Sequence, residues 1–354
     1  MADEPKKAPL AEVAGKTAFI TGGASGMGLG MAHAFAKAGM KVVIADIRQD
    51  ALDKAMGGFK NTNLAVHPIQ LNITDREAYK RAADETEKVF GKVHLLCNNA
   101  GVGLGGNMKN ATYEDWDFSN GVILGGTING VQTFLPRILA HGEGGQIMCT
   151  VSLSGVLATP GLGVYVTAKF AQCGMMEALR HDLRDDNIGV SAYIAGLTKT
   201  ELGVSTAAAR ALMKGEKPPA PQAPPPGAPN MANMPRFRGM MDPMEVGEIV
   251  LRGIRRNDLY IWPTRHYADG IRYRMEALIR GMPFNYVSDE LRKRVGGFND
   301  IPVYLNQTQV PPWQEWDEIK DARKALDEAE SKVDLMSEVA PPGAAPPGMR
   351  RPGN

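Results

Sequence analysis

The 354 residues carry 40 Lys and Arg against 39 Asp and Glu, a formal charge of +1, so no strong field draws the chain toward nucleic acid. With 44% hydrophobic and 22% charged residues, a chain of this length buries a large core without cross-links, which excludes disordered and fibrous classes. Cys97, Cys149 and Cys173 are odd in number and widely spaced, which argues against a disulfide framework or a zinc site and fits a reducing cytoplasm.

The opening MADEPKKAPLAEVAGK is polar and lacks a signal-peptide core, and no later stretch is apolar for about 18 residues, so a soluble protein with no membrane partner is expected. Residues 1–13 read as a flexible end. From there short apolar runs alternate with helical stretches. Strands are expected at 17–21, 41–45, 64–70, 93–98, 146–151 and 189–194. Helices are expected from Ser25 or Gly26 to Ala38, at 75–90, through 117–140 and at 163–184. That alternation predicts α/β architecture: a doubly wound parallel sheet of Rossmann type within a domain spanning 14–262. Eight of the 24 prolines fall between Pro218 and Pro235, so 217–235 is a loop insertion inside a lid at 200–241. A helix at 243–255 and a short last strand at 259–262 follow. Helices at 267–280 and 313–332 form a C-terminal extension over 263–335, and 336–354 is a flexible tail.

The first strand runs into TGGASGMG, so Gly22, Ser25, Gly26, Met27 and Gly28 form a glycine-rich turn that opens a helix. Glycines there permit close backbone approach, and the exposed N–H groups of the helix start attract a pyrophosphate. A merely flexible strand-to-helix turn has the same composition, so the cluster gains meaning from its partner. Asp46 ends the second strand about 20 residues further on, where an acid accepts from a ribose 2′-hydroxyl and repels a 2′-phosphate. This favours NAD over NADP, although Asp46 read alone is equally a helix cap.

Tyr165 and Lys169 lie four apart on a predicted helix and share a face. A free phenol is too weakly acidic to serve as a base near neutrality, and a nearby ammonium favours the phenolate. A surface Tyr/Lys pair on any helix shows the same spacing.

Four motifs in order and spacing make the chain resemble the short-chain dehydrogenase/reductase family over roughly residues 14–262. They are TGGASGMG, the Asn98-Asn99-Ala100-Gly101 run, Ser152 thirteen residues before the tyrosine, and YVTAK. The resemblance implies hydride transfer on a small-molecule substrate with NAD, Ser152 binding the substrate oxygen, Tyr165 moving the proton, and Lys169 assisting it and holding the ribose. It further implies cofactor contacts from Ile47, Asn72, Ile73, Asn99, Ala100, Gly101, Gly196, Thr198 and Thr200, and a homodimer or homotetramer through the 117–140 and 163–184 helices. AFITGGASG, VVIADIR, TDREAYKRAADETEKVFG and NDLYIWP are similar to bacterial NAD-dependent Cα-dehydrogenases, which oxidise the benzylic alcohol of lignin-derived β-aryl ethers. A secondary alcohol with a bulky aromatic body is therefore the expected substrate.

Three positions depart from the family pattern. Ile123 stands where a water-binding asparagine is usual, and Asn120, one helical turn earlier, is the candidate replacement. Ala195 replaces a proline before Gly196, which should loosen that backbone. Asn72 replaces an aspartate that accepts from adenine, a role its amide oxygen could fill. The incomplete relay leaves two alternatives to the dehydrogenase: an NAD-binding pseudoenzyme or regulatory protein, and a non-redox isomerase or lyase on the same fold. The six histidines show no metal-ligand spacing, and no metal is expected.

Overall fold

In TAFIT (Thr17–Thr21, β1) all five residues are buried, and such runs recur because every strand of a sheet covered on both faces must be apolar on both sides. The computed structural model describes residues 8–220, 240–282, 290 and 301–309. Contacts divide the chain into two units. The first, Met1–Gln222 with Met241–Val310, holds everything below, and the second, Ala223–Met240 with Pro311–Asn354, falls almost wholly outside the described residues. The expected helix at 313–332, the tail at 336–354 and most of the Pro-rich insertion lie outside them too.

After β1 come α1 (Gly26–Lys37), β2 (Lys41–Asp46), α2 (Gln49–Phe59), β3 (Val66–Gln70), α3 (Arg76–Phe90) and β4 (Leu95–Asn98). Then follow α4 (Tyr113–Asn120), a π-helical turn (Gly121–Gly125), α5 (Gly126–His141), β5 (Gly145–Thr150), α6 (Gly163–Asp182) and β6 (Ile188–Tyr193). The last elements are α7 (Leu202–Met213), α8 (Pro243–Arg256), β7 (Tyr260–Ile261), α9 (Ala268–Arg280) and α10 (Pro302–Gln309). The seven strands are all parallel in the order β3-β2-β1-β4-β5-β6-β7, so the fold is the doubly wound Rossmann type. Strand order reverses between β1 and β4, and a crevice opens there beyond the carboxyl ends. Pro68, which has no N–H to give, is tolerated because β3 is an edge strand.

Alternate residues of each strand feed opposite cores. Ala18, Ile20, Val42 and Ile44 pack with α1, α2 and α8, while Phe19, Val43 and Leu96 pack with α3, α5 and α6. Helices α1 and α8 cross closely because both carry glycine at the contact. A Cβ on Gly30 would stand 1.8 Å from the Pro243 carbonyl oxygen, and one on Gly247 would stand 2.2 Å from that of Gly30.

One expectation needs correction. Leu10 and Val13 are buried at 0% and 1% exposure, so the end of the supposedly flexible 1–13 stretch is part of the core. The helix expected over 117–140 is present but carries a π-helical turn at Gly121–Gly125 between α4 and α5, where Gly121, Gly125 and Gly126 cluster and the backbone stays right-handed helical.

Candidate active site

The glycine turn after β1 is shaped by backbone that only glycine accepts readily. Gly22 and Gly26 have φ of +62° and +51°, and a Cβ on Gly22 would lie 2.9 Å from the Ala100 Cα. Thr21 locks this turn to β4. Its hydroxyl accepts from the N–H groups of Asn99 and Ala100, both at 3.0 Å. Asn99 completes the clamp, donating from Nδ2 to the carbonyls of Thr21 (2.9 Å) and Gly22 (3.2 Å) and accepting from the Thr150 hydroxyl (3.0 Å). Its side chain is thus spent on joining β1, β4 and β5, and the fixed backbone forms the cavity wall.

Asp46 ends β2 at the rim of this turn. Burial raises its carboxyl above the ordinary range, while backbone N–H bonds from Arg48 (3.1 Å) and Ala24 and the Arg48 charge pull the other way. Arg48 is committed elsewhere: its Nη2 and Nε bind Asp50 at 2.7 and 3.3 Å, and that bond holds the Asp50 carboxyl below its usual range. The amide oxygen of Asn72 accepts from the Thr74 N–H (3.1 Å) and hydroxyl (2.9 Å), so among the described residues its NH₂ is the part left for a ligand.

One cavity of about 310 Å³ brings these groups together with the catalytic candidates. Its walls include Gly22, Ser25, Gly26, Met27, Asp46, Ile47, Asn72, Ile73, Asn99, Ala100, Gly101, Ser152, Tyr165, Lys169, Gly196, Thr198 and Thr200. Two nominated residues are absent from that lining. Gly28 serves packing instead, since a Cβ there would stand 2.1 Å from the Gly22 carbonyl oxygen. Asn120 ends α4 and is not among the lining residues, and Ile123 is fully buried beside Val102, Phe118, Val122 and Ala168.

Ser152 follows β5 and its Oγ accepts from the Ser154 N–H at 3.1 Å, which leaves the hydroxyl hydrogen to donate. Lys169 is 4% exposed and its Nζ lies 5.7 Å from the centre of the Tyr165 ring. That ammonium donates to the Thr150 carbonyl and to Gln172 Oε1, both at 2.8 Å. Gln172 was not foreseen. Its signal was the i, i+4, i+7 stripe of Tyr165, Lys169 and Gln172 on one helix face.

The remaining wall is mixed: Val102, Val122, Leu197, Leu202, Ala209 and Met213 bring apolar surface, the last three from α7, beside the polar or charged Arg48, Thr150, Glu201 and Ser205. Charge fastens α7 to α4. Arg210 binds Asp115 at 2.7 Å, holding that carboxyl down at about 2, and Lys214 binds Glu114 at 2.8 Å. Farther along, Thr198 and Met241 pair in an isolated parallel bridge. The Ala195 carbonyl accepts from the Leu153 N–H (2.8 Å), so the backbone before Gly196 is held despite the missing proline. Among the described residues no group of three or more His, Cys, Asp or Glu could hold a metal ion, and no helix is long and apolar enough to cross a membrane.

Comparison with known proteins agrees with this geometry. A relative named Cα-dehydrogenase from Sphingobium sp. strain SYK-6 is 37% identical over 289 residues, covering 79% of this chain and 91% of that protein. The apo crystal structure of LigO from the same strain has a TM-score of 0.63 and 37% identity, over 88% of this chain and 97% of its own. A short-chain dehydrogenase/reductase from Burkholderia phymatum, solved in complex with NAD, has a TM-score of 0.67 and 29% identity, over 78% and 99% of the two chains. The profile of the short chain dehydrogenases matches residues 16–211, from the start of β1 into α7. With the glycine turn, the serine, and the tyrosine–lysine pair on one cavity wall, the chain belongs to the short chain dehydrogenase family of oxidoreductases.

Proposed function

We propose that this chain is an NAD-dependent dehydrogenase that interconverts a secondary alcohol bearing a bulky aromatic body and its ketone. The observation that carries the reading is that Ser152, Tyr165 and Lys169 line the same cavity as the glycine turn and Asp46. The cavity fits a dinucleotide: a Cβ on Gly22 or Gly26 would close the cradle, and the start of α1 presents N–H groups for phosphate. Asp46 would hold the ribose, the Asn72 NH₂ would meet the base, and Gly196, Thr198 and Thr200 would seat the nicotinamide end. When bound, the cofactor supplies the acceptor for the hydride that leaves the carbinol carbon.

The chain's own residues manage one proton. Ser152 donates to the substrate oxygen and orients it. Tyr165, as phenolate, takes the hydroxyl proton while the C–H bond breaks, and the buried charge of Lys169 favours that phenolate. Leu202, Ala209 and Met213 of α7 and Val122 of the π turn offer apolar surface that suits an aromatic body and excludes water from it. The relative named Cα-dehydrogenase supports a benzylic carbon as the site of oxidation, and the neighbour solved with NAD supports the cofactor.

The assembly we propose is a homodimer or homotetramer through α5 and α6. Because Tyr304 of α10 donates to Glu177 of α6, a partner would meet α6 together with α10. The buried free thiols of Cys97, Cys149 and Cys173 suit a reducing cytoplasm.

The test is spectrophotometric: the purified chain with NAD or NADP and a panel of secondary alcohols from 2-butanol to 1-phenylethanol and a benzylic β-aryl ether. NADH formation, with kcat/KM rising toward the aryl substrates, is expected. NAD binding without turnover of any alcohol would favour the regulatory protein, and substrate conversion without NADH would favour the isomerase or lyase.

A further inference from the structure

Lys169 ends in a buried ammonium, and what holds it is a side chain that none of the family motifs contains. Gln172 is 0% exposed and bridges three elements. Its Oε1 accepts from Lys169 Nζ (2.8 Å), and its Nε2 donates to the Ile123 carbonyl of the π turn (2.8 Å) and to the Thr127 hydroxyl of α5 (2.6 Å). Thr127 in turn donates to the same Ile123 carbonyl at 2.8 Å.

The orientation of that amide is determined by its partners. Flipping it would set Oε1 against the Ile123 carbonyl oxygen and the NH₂ against an ammonium, two repulsive contacts in a site without solvent. Of the three Nζ–H donors, one is taken by Thr150 and one by Gln172, so a single donor remains for the cavity side. Behind Lys169, Ile123, Thr127 and Gln172 are all buried. The titratable groups around the ammonium are Tyr165 on its own helix and Cys149 on β5, whose thiol burial pushes up to about 11 and so keeps neutral.

We propose that Gln172 is a positioning residue for the dehydrogenation: it fixes the Lys169 ammonium beside Tyr165 and ties it to the π turn through the Ile123 backbone, in place of a side chain at 123. This rests on the reading of Tyr165 as the base. In the step itself the alcohol's C–H electron pair and hydrogen leave as hydride to NAD, the O–H proton goes to the Tyr165 oxygen, and the C=O bond forms. Gln172 exchanges no proton. With its amide closing the rear of Lys169, the proton later leaves Tyr165 on the cavity side.

Two near-isosteric variants test the role in the full chain, assayed with NAD and 1-phenylethanol. Gln172→Met removes every hydrogen bond of the amide and should lower kcat at least about tenfold, while the alcohol KM stays within about threefold. Gln172→Glu keeps an acceptor for Lys169 but adds an anion, which offsets the ammonium's effect on the phenolate and should move the acid limb of kcat/KM upward by about one pH unit. A structural role alone would lower thermal stability and leave the pH profile where it is. Folded variants with kcat within twofold of wild type and an unmoved acid limb would overturn the proposal. Should Gln172→Met not fold, the pH profile of Gln172→Glu decides alone. Tyr165→Phe in the same assay separates the two readings: turnover there overturns the base assignment, whereas its loss together with unaltered Gln172 variants overturns only this one.

Discussion

Replacing Gly28 by alanine puts the phosphate-binding geometry to a quantitative test. Gly28 is helical, so alanine brings no backbone penalty and in isolation would favour α1 by about 1 kcal/mol. Its Cβ, however, would stand 2.1 Å from the Gly22 carbonyl oxygen and 2.6 Å from Asn99 Nδ2, where ordinary contact begins at 3.4 Å. Either α1 or the glycine turn must retreat by about 1 Å, overpacking of a kind that costs about 1–3 kcal/mol. The retreat also strains the Asn99 bonds to Thr21 and Gly22, each contributing about 1 kcal/mol. The net loss is about 1–3 kcal/mol, or a fall in Tm of about 1–4 °C for a chain of this size. Because Gly22 lines the cavity, NAD affinity should fall at least about tenfold. Gly57→Ala is the matched control: it lies in α2 with nothing within 4 Å of its Cβ, and should raise stability by up to about 1 kcal/mol without changing NAD binding. Thermal unfolding and titration of NAD binding by protein fluorescence read both effects. A Gly28→Ala protein as stable as wild type, binding NAD within twofold, would refute the packing argument.

Asp46 should make the chain bind NAD at least about tenfold more tightly than NADP near pH 8, through like-charge repulsion of the 2′-phosphate that Arg48, already paired with Asp50, does little to offset. Because burial raises the Asp46 carboxyl, protonation removes its charge at a higher pH than for an ordinary aspartate, so the preference should narrow as pH falls toward 5. Fluorescence titrations of wild type and Asp46→Asn check this: the narrowing should vanish in the variant, and its persistence would place the discrimination elsewhere. Shortening residues 218–234 to a brief Gly/Ser link should raise KM for bulky aryl alcohols and leave NAD affinity and Tm nearly unchanged, because the Thr198–Met241 bridge closes the base of that excursion. Unaltered kinetics on small and bulky substrates alike would make the insertion a spacer.

The strands and the motif residues were legible because each is a local pattern: buried runs in β1, β2 and β5, the glycine turn, and the serine–tyrosine–lysine spacing. Gly28 belongs to the same motif, yet its role in packing against Gly22 emerges only when the turn and the first helical turn are placed in space. Gln172 was hidden for a stronger reason. The helix face it shares with Tyr165 and Lys169 was readable, but its role depends on β5, α6 and the π turn meeting at one buried ammonium, which that face alone does not specify. The π turn escaped notice because a glycine-rich stretch such as GVILGG reads as ordinary helix until the backbone widens. Asn120 was nominated by its distance from Ile123 along a helix, and the widened turn invalidates distances counted that way. That Thr74, two residues after Asn72, occupies the Asn72 amide oxygen was likewise not read from the sequence.

The central claim is that a proton on the Tyr165 oxygen is coupled to hydride transfer in this cavity. Initial rates of NADH formation from 1-phenylethanol and from a benzylic β-aryl ether, for wild type and Tyr165→Phe at saturating NAD and pH 8, test it directly. The account predicts NADH from the wild type and a loss of at least about a thousandfold in the variant, with NAD affinity within about threefold, since one hydroxyl and little packing are removed. A variant that still oxidises either alcohol at more than a tenth of the wild-type rate would contradict it.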